Sequence, residues 1–246
     1  MNGLGIVAAL AAESRPLGAA PRGYEHPAPL ADGTLLILAG MGPAAATEGA
    51  RRLAAAGVRA LLSWGMAGGL DPLLAPGTLV LPVEVMSPEG RLFATAREWR
   101  ERVSCAIAAH HPVCSGRLLT CHEALGSPAA KSLAFRRTAA IAVDMESSAV
   151  AEVAAAARLP FLAVRAIVDT AADEVPRAAL AALTVGTGGL SVGRLLGALA
   201  LAPGELPALL RLGGRYRSAR RALFAVARSG ALAPTGLRAA AGSAMS

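Results

Sequence analysis

Along most of the chain, short apolar runs alternate with longer stretches whose apolar positions recur at helical spacing. Runs at residues 5–10, 34–39, 60–64, 78–85, 117–120, 141–143 and 161–168 have strand length and little charge. Between them, residues 44–56 and 147–158 repeat apolar positions every three or four residues and predict helices. The alternation predicts an α/β fold: a single domain with a central, mostly parallel mixed sheet flanked by helices. In such sheets ligands bind beyond the carboxyl ends of the strands. That rule selects Glu13, the glycine-bearing segments 40–42 and 65–69, residues 144–146 and Asp169.

The pattern changes near residue 190, which divides the chain into a domain at 1–190 and a C-terminal extension at 191–246. Residues 215–228 read as an amphipathic helix, with Tyr216, Ala219, Leu223, Val226 and Ala227 on one face and Arg217, Arg221 and Arg228 opposite. Two readings stand side by side. Such a helix suits an anionic membrane surface, its arginines snorkelling; equally, it can pack on its own domain with a solvated basic face. Residues after Pro234 are expected to be disordered.

Charge sharpens this division. Residues 1–189 carry 16 basic and 16 acidic side chains, whereas residues 190–246 carry eight arginines and a single acid, Glu205. The net charge of +7 therefore sits in the tail. Although 54% of residues are hydrophobic, charge interrupts every apolar run before the roughly 20 residues of a spanning helix. The first twelve residues lack a basic flank, and residues 5–10 among them read as a buried first strand, not a leader core. Cys105, Cys114 and Cys121 form no paired framework, which suits a reducing, cytoplasmic setting. Aromatic residues are only 3% of the chain, which argues against a stacking platform for nucleic acid.

Singly, each acidic strand end has a plain structural explanation. Glu13 could open a helix, Asp169 could cap a turn, and Asp144 or Glu146 could favour the positive end of the following helix. Together at one sheet edge, two carboxylates and a glycine-rich segment supply an acid, a base and close backbone approach to a ligand. His122, near a strand end, is a candidate pocket residue. His110 and His111 are adjacent and point apart, and no clustered ligands imply a metal.

The segments "GIVAALAAE" at 5–13, "WGMAGGLDPLLAPGTLVLP" at 64–82 and "AVDMESSAVAEVAAAARLPFLAVRAIVDTAAD" at 142–173 resemble the purine nucleoside phosphorylase and 5′-methylthioadenosine/S-adenosylhomocysteine nucleosidase superfamily. The resemblance implies an enzyme that cleaves the N-glycosidic bond of a small purine nucleoside. By it, Glu146 accepts hydrogen bonds from the ribose diol and Met145 lies against the sugar. Asp169 donates a proton towards the leaving base, and Glu13 activates water. Ala67 and Gly68 contact substrate, Arg165 helps hold the site, and Asp144 is structural. No cofactor is implied, phosphate entering as co-substrate only in a phosphorolytic reaction; a homo-oligomer, plausibly a dimer, is the implied assembly.

Departures from that pattern narrow the expectation. Met66 stands where the family has Ser or Thr, Val168 where the nucleosidases have Ser, and the base-stacking aromatic expected near Ala124 or Leu125 is absent. The segment 87–114 is short, which leaves the 5′ side open. With the arginine-rich tail and the "VDMES" form, the chain looks like the hopanoid-associated phosphorylase subfamily, which implies release of adenine from adenosylhopane at the inner face of a membrane. Ser63 and Met66 occupy positions where a phosphorylase would bind phosphate, so hydrolysis is the expected chemistry. An ordinary methylthioadenosine/adenosylhomocysteine nucleosidase and a phosphorolytic enzyme are the alternatives.

Overall fold

A computed structural model describes residues 3–18, 26–176, 179, 204 and 206–234. In chain order the strands are β1 (Gly5–Ala8), β2 (Ala28–Pro29), β3 (Leu35–Leu38), β4 (Leu61–Gly69), β5 (Leu79–Val80), β6 (Glu84–Met86), β7 (Leu92–Ala94), β8 (Val113–Cys114), β9 (Arg117–Thr120), β10 (Ala140–Asp144) and β11 (Phe161–Asp169). The helices are α1 (Ala11–Ser14), α2 (Pro43–Ala55), α3 (Arg97–Ile107), α4 (Pro128–Thr138), α5 (Ser147–Ala156) and α6 (Leu206–Arg228).

All eleven strands join one mixed sheet. Its main path runs β2, β3, β1, β4, β10, β9, β6, β7, and β11 branches from β4 towards β5 and β8. Pairings β1–β3, β1–β4, β4–β11, β9–β10, β6–β9 and β5–β8 are parallel, in keeping with the predicted mostly parallel sheet. Neighbouring residues of β1 enter different cores, Ile6 on one face and Val7 on the other, as the two-residue period of a strand requires. Trp99 and Val103 of α3 cover the first face with Leu223 and Val226 of α6. Ala46 and Ala50 of α2 cover the second with Ala149 and Val150 of α5. A glycine lets α2 approach the sheet closely: a Cβ on Gly49 would stand 3.0 Å from that of Ala39, just past the end of β3.

Two element boundaries differ from expectation. The run 78–85 divides into β5 and β6 around Pro82, which has no N–H to give a ladder. The glycine-bearing segment 65–69 does not interrupt β4 but continues it as strand, paired with β11 and β10, and the missing side chains of Gly65 and Gly68 let the carboxylates of Glu13 and Asp169 lie against it.

Helix α6 begins at Leu206, earlier than periodicity indicated, and Ala219, Ala222, Leu223 and Val226 are buried in the common core. Packing against the domain thus takes up the apolar face of its second half. Among the described residues no helix is long and apolar enough to cross a membrane. The boundary near 190 and the segment after Pro234 lie outside the described residues.

Candidate active site

The C-terminal ends of β1, β4, β10 and β11 converge on a cavity of about 280 Å³, near the lower end of the usual range for small-molecule pockets. Ala9, Leu10, Glu13, Met66, Ala67, Gly68, Val143, Asp144, Met145, Glu146, Val168 and Asp169 form its floor and walls. Glu123, Ala124 and Leu125 add one side, Met41 another, and Val175, Ala179, Leu212 and Tyr216 close it from the C-terminal part of the chain.

Glu13 reaches the cavity because β1 ends at Ala8 and one helical turn follows. Its Oε2 accepts from the Leu10 amide at 3.1 Å and its Oε1 from the Met66 amide at 2.9 Å. The carboxylate therefore both caps α1 and faces the cavity, and the helix-opening explanation is one half of its role. Its backbone carbonyl accepts from Trp64 Nε1 at 2.8 Å, which ties the turn to β4. A Cβ on Gly65 would stand 2.6 Å from Glu13 Oε1, so glycine here leaves the carboxylate the room that a larger residue would take from it. Burial raises the carboxyl's pKa above the ordinary range, against the opposing pull of the Arg165 charge.

Beneath the floor, Arg165 is fully buried and satisfied. Its Nε donates to Asp144 Oδ2 at 2.8 Å, and its Nη2 donates to Ser63 Oγ at 2.7 Å and Ser147 Oγ at 3.0 Å. Asp144 also accepts from Thr120 Oγ1 at 2.8 Å and the Ser147 amide at 3.1 Å. These partners account for a buried pair that would be costly without them. Arg165 underpins the floor instead of projecting from it.

Glu146 follows β10 and precedes α5. Its Oε1 accepts from the Gly42 amide at 3.0 Å, and Gly42 presents that amide from a φ of +96°, a conformation that suits glycine. Burial and, secondarily, the Asp144 charge push the Glu146 carboxyl up to about 7. Asp169 ends β11 opposite Gly68 of β4, where an added Cβ would lie 3.2 Å from Asp169 Oδ2. Burial raises its pKa, and an ion pair with Lys131 opposes that rise.

Glu13, Met145, Glu146, Asp169, Ala67 and Gly68 thus share one cavity. His122 is not among its lining residues: it is exposed, with Nε2 3.7 Å from Glu89 Oε1, while the next three residues carry the loop into the wall. The base-stacking position holds no ring, Ala124 and Leu125 both lining the cavity with small or aliphatic side chains. Sequence reasoning missed Lys131, Leu212 and the aromatic lining residue Tyr216, whereas Met41 lies within the selected segment 40–42. Arg215, one residue earlier on α6, pairs with Asp173 and fastens this helix beside the Asp169 strand end.

The same architecture occurs in solved nucleosidases. The 5′-methylthioadenosine/S-adenosylhomocysteine nucleosidase from Neisseria meningitidis, solved with methylthio-immucillin-A, superposes with a TM-score of 0.65 at 16% identity, over 93% of this chain and 100% of that one. The corresponding Helicobacter pylori enzyme, solved with butyl-thio-DADMe-Immucillin-A, gives 0.64 at 18% identity over 92% and 97%. Futalosine hydrolase of Helicobacter pylori gives 0.64 at 16% identity over 92% and 97%. At these identities the likeness is one of fold, whereas a family model reaches the sequence itself: with residues 7–188 matched, the chain belongs to the phosphorylase superfamily and is an enzyme of N-glycosidic bond cleavage.

Proposed function

We propose that the cavity hydrolyses the N-glycosidic bond of a purine nucleoside bearing a bulky apolar 5′ group, releasing adenine from adenosylhopane. The observation that carries this reading is that Glu13, Glu146 and Asp169 face one cavity whose lining, among the described residues, includes no lysine, arginine or histidine. Phosphate would meet carboxylates there. Beneath the floor, Arg165 has its Nε and Nη2 turned to Asp144, Ser63 and Ser147.

In the proposed reaction, Glu146 accepts hydrogen bonds from the ribose hydroxyls and fixes the sugar. Protonated Asp169 gives its proton to the purine as the bond from the base nitrogen to the anomeric carbon breaks. Ionised Glu13 takes a proton from the water whose oxygen bonds to that carbon. One carboxyl thus loses a proton and the other gains one, and exchange with solvent restores both. Burial raises both pKa values, which favours the protonated form of Asp169 and makes ionised Glu13 a stronger base. Neither step needs a cofactor.

The 5′ group is assigned to the α6 side. Leu206, Leu209 and Leu212 follow one another at a spacing of three, which places them along one side of the helix leading to Tyr216. Leu212 and Tyr216 line the cavity, whereas Leu206 is 47% exposed and its neighbour Leu210 70% exposed. An apolar substituent leaving the cavity along this track stays out of water, with the exposed Arg211 and Arg217 beside an anionic membrane surface.

The test is adenine release from adenosylhopane and from methylthioadenosine, each with and without phosphate. Phosphate-independent release from the hopanoid is the expected result. Strict phosphate dependence overturns hydrolysis, and turnover of methylthioadenosine alone overturns the lipid substrate.

A further inference from the structure

The chain has a single lysine, Lys131, among 24 basic residues, and the fold buries it completely. Elsewhere every cation is arginine, so the one compact ammonium has a distinct use. It lies one turn into α4, whose start is fixed by Ser127 capping the Ala130 amide at 3.2 Å and by Pro128 in the first turn. From there Nζ donates to Asp169 Oδ2, to the Thr170 carbonyl at 2.8 Å and to the Asp173 carbonyl at 3.0 Å. An ammonium has three protons, and all three are engaged.

We propose that Lys131 is a positioning residue for Asp169: it holds Oδ2, leaving Oδ1 to meet the leaving base. This rests on the reading of Asp169 as the acid. Several observations support it together. Gly68 supplies the close backbone surface on which the carboxylate lies. The two carbonyls bound by Nζ belong to the turn following Asp169, so the ammonium orders the strand end as well as the side chain. That turn is closed by Asp173, whose Oδ2 accepts from the Thr170 amide at 2.8 Å and hydroxyl at 2.7 Å and pairs with Arg215. Arginine could not substitute, because its planar fork spreads donors over a larger area than these converging acceptors occupy.

Lys131 also opposes the burial of Asp169, and so sets how readily the acid keeps its proton. The other charges bearing on Asp169 are Asp173, which favours the protonated form, and Arg215, which opposes it. Removing the ammonium makes Asp169 a weaker acid that stays protonated to higher pH. The alkaline limb of kcat/KM therefore moves upward, an effect that loss of mere packing would not produce.

The chain's composition permits a direct experiment on the full-length protein. Labelling with lysine carrying 15N at Nζ yields one side-chain resonance, already assigned, provided the expression tag has no lysine. That resonance should be protected from water exchange and should titrate in step with the alkaline limb, and Asp169→Asn should abolish the titration. Lys131→Met should lower kcat about 10-fold or more and move the limb upward; Lys131→Gln, which keeps a donor without the charge, should recover part of kcat with the limb still displaced. A resonance indifferent to Asp169→Asn overturns the proposal even if the lysine variants fail to fold, as do folded variants with wild-type kcat and pH profile. Unchanged base release in Asp169→Asn instead overturns the parent reading, since there would be no acid to position.

Discussion

Oε1 of Glu13 accepts the Met66 amide proton at 2.9 Å across 53 residues of sequence, so the carboxylate at the end of one strand is aimed by the backbone of its neighbour. Glu13→Gln keeps an acceptor for that amide but cannot take a proton from water. Its kcat should fall about 10²- to 10⁴-fold while nucleoside affinity, measured by equilibrium binding, stays near wild type. Gly65→Ala should act from the other side, since its Cβ would stand 2.6 Å from Oε1; the activity lost should track displacement of Glu13. Full activity in Glu13→Gln would remove this carboxylate from the mechanism.

Arg165 and Asp144 make a different kind of pair, Asp144 in the cavity floor and Arg165 buried beneath it. Arg165→Met leaves Asp144 buried beside uncharged partners, with Ser63 and Ser147 losing a donor. Unfolding free energy should drop by about 3–5 kcal/mol, read by urea denaturation. Asp144→Asn should cost less, because the amide can still accept from Nε. A small loss in Arg165→Met would mean that water solvates the pair.

Glu146 links function to stability through pH. Its carboxyl rises from 4.5 to about 7 on folding, so between those values the folded chain holds a proton that the unfolded chain has lost. This group costs nothing below pH 4.5, and its stability penalty grows as pH rises towards 7. Glu146→Gln removes the penalty and keeps an acceptor for the Gly42 amide. Its unfolding free energy should exceed wild type's at pH 8 by on the order of 1–2 kcal/mol after allowance for partial exposure, and match it at pH 4.5. Ribose affinity should be lost in the same variant. A pH-independent gap between the two proteins would sink the assignment.

What was legible in the sequence followed from strand ends. The gathering of Glu13, Glu146 and Asp169 was legible because β1, β10 and β11 are short apolar runs with an acid at or within five residues of their ends, and parallel sheets gather such ends on one side. Lys131 was invisible to that logic: "PAAKSLAFRR" reads as an ordinary surface helix, and only the lysine's uniqueness in the chain hinted at burial. Tyr216 was placed on the apolar face of its helix, but nothing local indicates that α6 folds back over the β11 end and turns Leu212 and Tyr216 into cavity wall. His122 failed for the reverse reason, since a one-residue step along a loop separates a lining position from a solvent-facing one.

The same return of α6 changes how the proposed membrane contact must be tested. Cutting the chain after Gly204 would strip Ala219, Ala222, Leu223 and Val226 from the core and unfold the domain, so loss of vesicle binding would say nothing about the surface. Leu206→Ser with Leu210→Ser alters only exposed positions, ahead of the buried segment. Removing two leucines from a lipid contact forfeits about 1.5–3 kcal/mol each if both are fully buried there, enough to raise KM for adenosylhopane at least 10-fold. Methylthioadenosine, whose small 5′ group ends before Leu206, should turn over with unchanged KM if it is a substrate at all. Binding to vesicles containing phosphatidylglycerol should weaken in the double variant and, separately, with salt, because the arginines beside the leucines act through a screened potential. Equal KM for the hopanoid in both proteins would show that the substituent leaves by another route, and the leucine track would lose its assignment.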